Sequence, residues 1–203
     1  MRRSAARIGA QNIRVERISM PSLDWTRLDS RYVVRDDWFT LRVDTYRLPD
    51  ECVIAPVYII EYRDWVNAVA LTHNQEIVLV RQFRPGLGRT ILEIPGGTTE
   101  PGESSMLEAA QRELLEETGY AGTDWIVTGA IAPNPASHTN MMHCFLARDV
   151  ERVRDPDPDD SEHLEVVLMP LDEFVALAKR GELLQAVQLS SLFFALANLG
   201  RVV

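Results

Sequence analysis

Between Gly96 and Tyr120 the chain reads GGTTEPGESSMLEAAQRELLEETGY, and three of its glutamates, Glu113, Glu116 and Glu117, fall at positions i, i+3 and i+4. The flanks predict a helix over 105–118: Ser105 followed three residues later by Glu108 reads as a capping box, and Gly119 stands where a glycine ends a helix. On such a helix the three carboxylates share one face, within about 6 Å of each other, and like charges there repel. A cation relieves that repulsion, and carboxylate oxygens suit a hard divalent ion such as Mg2+, with water and substrate phosphate completing its shell. Arg112 lies four residues before Glu116 and can hold its orientation. The opposite face, Ala109, Ala110 and Leu114 with Leu107, is small and apolar, which predicts close packing on a sheet. Taken alone, R-E-x-x-E-E also describes an ordinary solvated helix face; the glycine-rich approach favours the ion site.

The rest of the chain offers strands for that helix to pack on. Period-two alternation with β-branched residues predicts an antiparallel meander over 32–34, 39–48 and 53–62, broken at Pro49-Asp50. From Asp64 onward, strands are expected at 66–72, 77–83, 91–94, 125–132, 142–147 and 164–169, the third stopped by Pro95-Gly96-Gly97. Pro170 introduces closing helices at 171–180 and 189–199. This divides the chain into an N-terminal arm over 1–30, a small β-domain over 31–63 and a larger domain over 64–203. The arm carries Arg2, Arg3, Arg7, Arg14 and Arg17 against Glu16, and reads as a mobile basic segment or an organelle-targeting one.

Composition removes several classes of function. A formal net charge of -9 repels phosphate backbones, so no nucleic-acid partner is expected. The longest apolar runs, 53–60 and 189–199, are shorter than the roughly 18 residues of a membrane-spanning helix, so no membrane partner is expected either. Cys52 and Cys144 lie far apart and lack companions for a disulfide framework or a zinc site. They read as buried thiols in a reducing compartment, consistent with a cytoplasmic protein.

The segment opened above resembles the Nudix hydrolase box, G-x5-E-x7-R-E-U-x-E-E-x-G-U with U a bulky apolar residue. Gly97, Glu103, Arg112, Glu113, Leu114, Glu116, Glu117, Gly119 and Tyr120 fill it. Eight residues, not seven, separate Glu103 from Arg112, and the extra one is placed near 104–106, which leaves the position of Glu103 open. Trp65-Val66-Asn67, Arg81-Gln82-Phe83-Arg84, Glu93-Ile94-Pro95-Gly96-Gly97, Pro133-Asn134-Pro135-Ala136 and the acidic loop before Leu164 extend the likeness to the ADP-ribose pyrophosphatase branch. The resemblance implies an α+β fold, a Nudix α/β/α sandwich with a mixed sheet, preceded by a small antiparallel β-domain that helps form a homodimer.

It also implies an activity and a site. The expected reaction is metal-dependent hydrolysis of a nucleoside diphosphate linked to another moiety, ADP-ribose to AMP and ribose 5-phosphate. A GDP-sugar or UDP-sugar substrate and a silent nucleotide-binding regulator are the alternatives. Mg2+, or Mn2+ in its place, would be held by Glu113, Glu116 and Glu117 with the carbonyl of Gly96, and Arg112 would serve the catalytic face. Arg84 matches the arginine that contacts the diphosphate, with Arg81 beside it; Glu93 would meet a ribose or a metal-bound water, or neutralise Arg84. The general base is expected in the acidic loop, Glu162 matching best and Asp160 and Glu165 being its rivals. Trp38, Phe39 or Tyr46 could stack on adenine or belong to the core, and His138 and His143 read as loop hydrogen-bonding groups rather than metal ligands.

Overall fold

The computed structural model of this protein describes residues 22–36, 39–159 and 163–201. Most of the basic arm, together with Trp38, Asp160 and Glu162, therefore lies outside the described residues. Strands β1 (Thr26–Arg35), β2 (Thr40–Arg47) and β3 (Val53–Glu61) form the expected antiparallel meander in that order. The first strand starts six residues before Tyr32. Every residue of β1 is exposed, and its pairing with β2 shifts register between Arg27 and Asp29 and again between Tyr32 and Val34, so no single apolar face runs its length to mark where it begins.

The larger sheet is built on the expected strands and mixes directions. Its members are β4 (Trp65–Leu71), β5 (Glu76–Arg84), β6 (Arg89–Glu93), β7 (Gly96–Thr98), β9 (Asp124–Ile131), β10 (Met142–Arg148) and β12 (Leu164–Pro170). The order β12-β5-β4-β10-β9 places β4 and β10 side by side in parallel; β6 pairs with β5 and β7 with β4, both antiparallel. Two short strands, β8 (Tyr120–Ala121) and β11 (Glu151–Arg152), pair separately.

Helices cover both faces. Val66 and Phe145 pack with Ala109 and Ala110 of α1 (Met106–Thr118), while Ala70, Val78 and Ala147 pack with Leu114. On the other face Val69, Leu71, Leu79 and Leu146 meet Phe174 of α2 (Leu171–Lys179) and Leu192 and Ala195 of α3 (Ala186–Asn198). Alternate residues of β4 thus supply two cores, which is why that strand reads as an apolar run interrupted at Asn67. The paired alanines let the α1 backbone approach the sheet closely, and a larger side chain at either would lift the glutamate face away from β7. Helix α3 begins three residues earlier than expected, which brings Gln188 onto it.

The ends of α1 are set by local chemistry. Ser105 Oγ accepts a hydrogen bond from the Glu108 N–H at 3.2 Å. The reciprocal half of the expected capping box is displaced by one residue: the Glu108 carboxylate accepts from the N–H and hydroxyl of Ser104, at 2.7 and 2.6 Å. Gly119 closes the helix at φ 73°, donating to the Leu115 carbonyl, and a Cβ there would stand 2.1 Å from the Arg154 carbonyl oxygen. Its own carbonyl accepts from the N–H groups of Val153 and Arg154, which fastens the acidic loop to the end of the glutamate helix.

The meander joins the larger body through Ile60, which donates to the Ser137 carbonyl and accepts from Thr139. Cys144 is buried, and burial raises its thiol pKa against the opposing hydrogen bond from Ser191; Cys52, contrary to expectation, is exposed because it follows the tight turn at Pro49-Asp50. Among the described residues no helix is long and apolar enough to cross a membrane.

Candidate active site

Gly96-Gly97 does not merely stop the preceding strand; it forms β7 and runs beside β4 with Val66 opposite Gly97 and Asn67 opposite Gly96. Gly96 is required by the backbone against it, and Gly97 leaves room for the Glu113 carboxylate where it stands. A Cβ on Gly96 (φ 156°) would stand 2.2 Å from the Val66 carbonyl oxygen, and one on Gly97 would stand 2.4 Å from Oε1 of Glu113. The strand is a notch into which α1 lowers its carboxylates. Glu117, 2% exposed, accepts from the Gly96 N–H at 2.8 Å, and Glu113 is buried beside it, while Glu116 is half-buried toward solvent.

Arg112 holds the acidic face together. Its Nε donates to Glu103 at 2.8 Å, one terminal nitrogen reaches Glu116 at 2.9 Å and Glu113 at 3.1 Å, and the other donates to the Thr98 carbonyl at 3.0 Å. Burial opposes its charge, but the bonds to Glu103 and Glu116 and the field of Glu113 prevail and raise its pKa further. Glu103 also accepts from the Glu100 N–H, so the extra residue between Glu103 and Arg112 is absorbed before the helix and Glu103 keeps its arginine.

Among the described residues no three acidic, histidine or cysteine side chains are already arranged around an ion position. The donor set still fits a hard divalent cation: Glu113, Glu116 and Glu117 offer oxygens only, in a notch shaped for carboxylates against backbone, with the Gly96 carbonyl adjacent. They line or adjoin a cleft of about 460 Å³ whose rim includes Arg84, Glu100 and Asp159.

The expected substrate residues separate here. Arg84 lines the cleft and its Nε donates to Glu93 at 2.7 Å; Glu93 is fully buried, and burial raises its pKa against the opposing pull of Arg84. Arg81 does not reach the cleft. Residues three apart on a strand face opposite ways, and Arg81 pairs instead with Glu165 on exposed surface, at 2.9 Å. That same pair occupies Glu165, one of the rivals for general base. Of the acidic loop, Asp159 is the described carboxylate on the cleft, a position sequence reasoning passed over.

Other expected groups serve the scaffold. Phe39 packs edge-on to Tyr62, and Tyr46 to Trp25. His143 bonds Asp64 at 3.1 Å, and His138 packs on Tyr62. Among the described residues the aromatic ring on the cleft is Trp65, accompanied by Asn67, Gln185 and Gln188; these carboxamides carried no charge pattern or spacing that would mark them.

Comparison with known proteins accords with this geometry. The family model described as NUDIX domain matches residues 61–189, and the one described as nucleoside diphosphate sugar hydrolase N-terminal domain matches residues 25–56. The chain is 33% identical over 129 residues to the ADP-ribose pyrophosphatase of Bacillus subtilis, covering 63% of this chain and 69% of that one. It is 27% identical to the ADP-ribose pyrophosphatase of Mycobacterium tuberculosis, covering 84% and 83%. A crystal structure of an ADP compounds hydrolase superposes with a TM-score of 0.75 at 26% identity, over 90% of this chain and all of the other.

The Arg84–Glu93 pair gives a stability test. Burial makes the folded state hold the Glu93 proton more tightly than the unfolded one, whose value is near 4.5, so stability falls as pH rises from there through the folded value. Arg84→Ala removes the opposing charge and raises the folded value further. Its cost should be slight near pH 4.5 and about 1–3 kcal/mol near pH 7.5, reduced from that of a fully buried pair because Arg84 is partly exposed. Urea unfolding of wild type and variant at both pH values measures this; equal costs would detach Glu93 from the effect.

Proposed function

This chain belongs to the NUDIX domain family, and on that footing we propose that it is a metal-dependent hydrolase of nucleoside diphosphates linked to a sugar, with ADP-ribose as its substrate. The observation that carries this reading is the placing of a carboxylate notch, ordered by Arg112, and the Arg84 guanidinium on one cleft. The substrate has the same division: a diphosphate needing positive charge, and uncharged groups beyond it. The names of the similar proteins point to an ADP-linked sugar rather than a GDP- or UDP-linked one.

The reaction adds water to one phosphorus and breaks the bond from that phosphorus to the bridging oxygen, which departs on the other phosphate; AMP and ribose 5-phosphate account for all atoms. Glu113, Glu116 and Glu117 with the Gly96 carbonyl would hold Mg2+, or Mn2+, which when bound supplies Lewis-acid stabilisation of phosphate charge. Arg84 offers a planar donor fork to phosphate oxygens, which can replace Glu93 as its partner or share it. Arg112 fixes where Glu113 and Glu116 stand and so positions rather than reacts.

A proton must leave the attacking water, and the acidic loop, fastened to α1 at Gly119 and by the Asp157 N–H to the Glu116 carbonyl, is the element that delivers a base. Glu162, outside the described residues, is our assignment, with Asp159 as the carboxylate to compare. AMP and ribose 5-phosphate should appear together from ADP-ribose, and Glu117→Gln should slow the reaction by about 100-fold or more with folding intact. Glu162→Gln should lower kcat on the order of 100-fold with KM little changed. A preference for a UDP- or GDP-sugar in the same product assay would overturn the substrate, activity of Glu117→Gln within threefold of wild type the metal site, and a crippled Asp159→Asn beside a normal Glu162→Gln the choice of base.

The meander supports a homodimer. Leu28, Tyr32, Val33 and Val34 of β1 and Val53 and Tyr58 of β3 are exposed large apolar residues on a three-stranded sheet, which is too small to stand uncovered. Sedimentation at micromolar concentration should give twice the mass of one chain, and Val34→Asp should shift the protein toward monomer. A monomeric wild type would contradict the assignment.

A further inference from the structure

Alternate residues of β4, Asn67, Val69 and Leu71, share the face that packs beneath α3, and two of the three belong to its apolar core. Asn67 is only 3% exposed and lines the cleft, yet its carboxamide oxygen has no hydrogen-bond partner in the protein. An apolar side chain would fill that place without leaving a buried acceptor unmet, so the carboxamide is suited to a donor that arrives with a ligand. On the same cleft Gln188 of α3, also 3% exposed, accepts from the Ile94 N–H at 3.0 Å. That bond fixes the amide and leaves its NH2 end as the donor. Trp65, two residues before Asn67 and half-buried against Tyr62, adds an apolar wall.

We infer that Trp65, Asn67 and Gln188 form a subsite for the hydroxyl groups of the sugar ring bonded directly to the diphosphate. The subsite offers one acceptor, one donor and an apolar ring, without charge. A sugar ring presents hydroxyls that both donate and accept, and C–H faces that rest on an indole. Position selects the sugar over the base. Asn67 stands opposite Gly96, whose N–H holds Glu117, and neighbouring strands lie about 5 Å apart. The Asn67 side chain lies on the α3 side of the sheet and the carboxylates on the α1 side, but both line one cleft, so the group that Asn67 meets is the first one attached to the phosphates, and in a nucleoside diphosphate sugar that group is a sugar at either end. The inference rests on the hydrolase reading above and adds what selects its substrate.

The test compares ADP-ribose with two hydroxyl-depleted substrates, ADP esterified at its terminal phosphate to a short alkyl alcohol and 2′-deoxy-ADP-ribose. Wild type should lose about 30-fold or more in kcat/KM with one of them, chiefly through KM, because a site built to bond a hydroxyl rejects the analogue lacking it. Gln188→Glu keeps the acceptor for Ile94 and deletes the donor. It should raise KM for ADP-ribose about tenfold with kcat nearly unchanged, and change little for the analogue that wild type rejects. Wild-type rates within threefold for all three substrates overturn the subsite without recourse to any variant. Equal losses in Gln188→Glu for every substrate, or a fall in kcat alone, also overturn it, since those mark a structural or water-positioning role. A wild type inert toward every diphosphate ester overturns the hydrolase reading beneath it, an outcome distinct from indifference to hydroxyls.

Discussion

The guanidinium of Arg112 is the cation on which the arrangement of this molecule turns. Glu113, Glu116 and Glu117 repel one another on a single helical face, and Glu103 adds a fourth carboxylate from the preceding loop. One planar fork binds three of the four and takes the Thr98 carbonyl as well, so helix α1, strand β7 and the loop between them are fixed to each other through one side chain. Lysine would carry the same charge without the geometry to span three elements. The network is partly open to water, so its contribution is position more than stability.

Everything else at the site is placed relative to that fork. The alanines at 109 and 110 set the height of α1 above the sheet, and the glycines at 96 and 97 remove the Cβ atoms that would otherwise meet backbone and carboxylate. Gly119 both ends the helix and binds the acidic loop, so the loop is anchored by the same element that carries Glu113, Glu116 and Glu117. Small residues thus decide where the charged ones stand.

Much of this was legible in the sequence where local chemistry dominates. Ser105 and Gly119 mark the helix ends, and the β-branched runs of β4 and β5 mark strands, because caps and periodicity act over a few residues. The two-residue strands β8 and β11 are too short to show a period, and β1 is exposed throughout and shifts register twice against β2, so no buried face marks its start. Arg81 and Arg84 look equivalent in one dimension, yet strand geometry turns one to Glu165 and the other to the cleft. Asn67 and Gln188 are 121 positions apart, and only folding reveals that a lone buried oxygen and an oriented amide share a wall.

A notch ordered by Arg112 to take a divalent cation should be stabilised by that cation, which thermal unfolding with and without Mg2+ at matched ionic strength measures. Ligand at about 100 times its dissociation constant stabilises the folded state by roughly 2.7 kcal/mol, or about 5–10 °C in Tm for a chain of this size. Wild type should show such a rise and Glu113→Gln should lose it. No rise in wild type with Mg2+ or Mn2+, or the same rise in both proteins, would contradict the cation site.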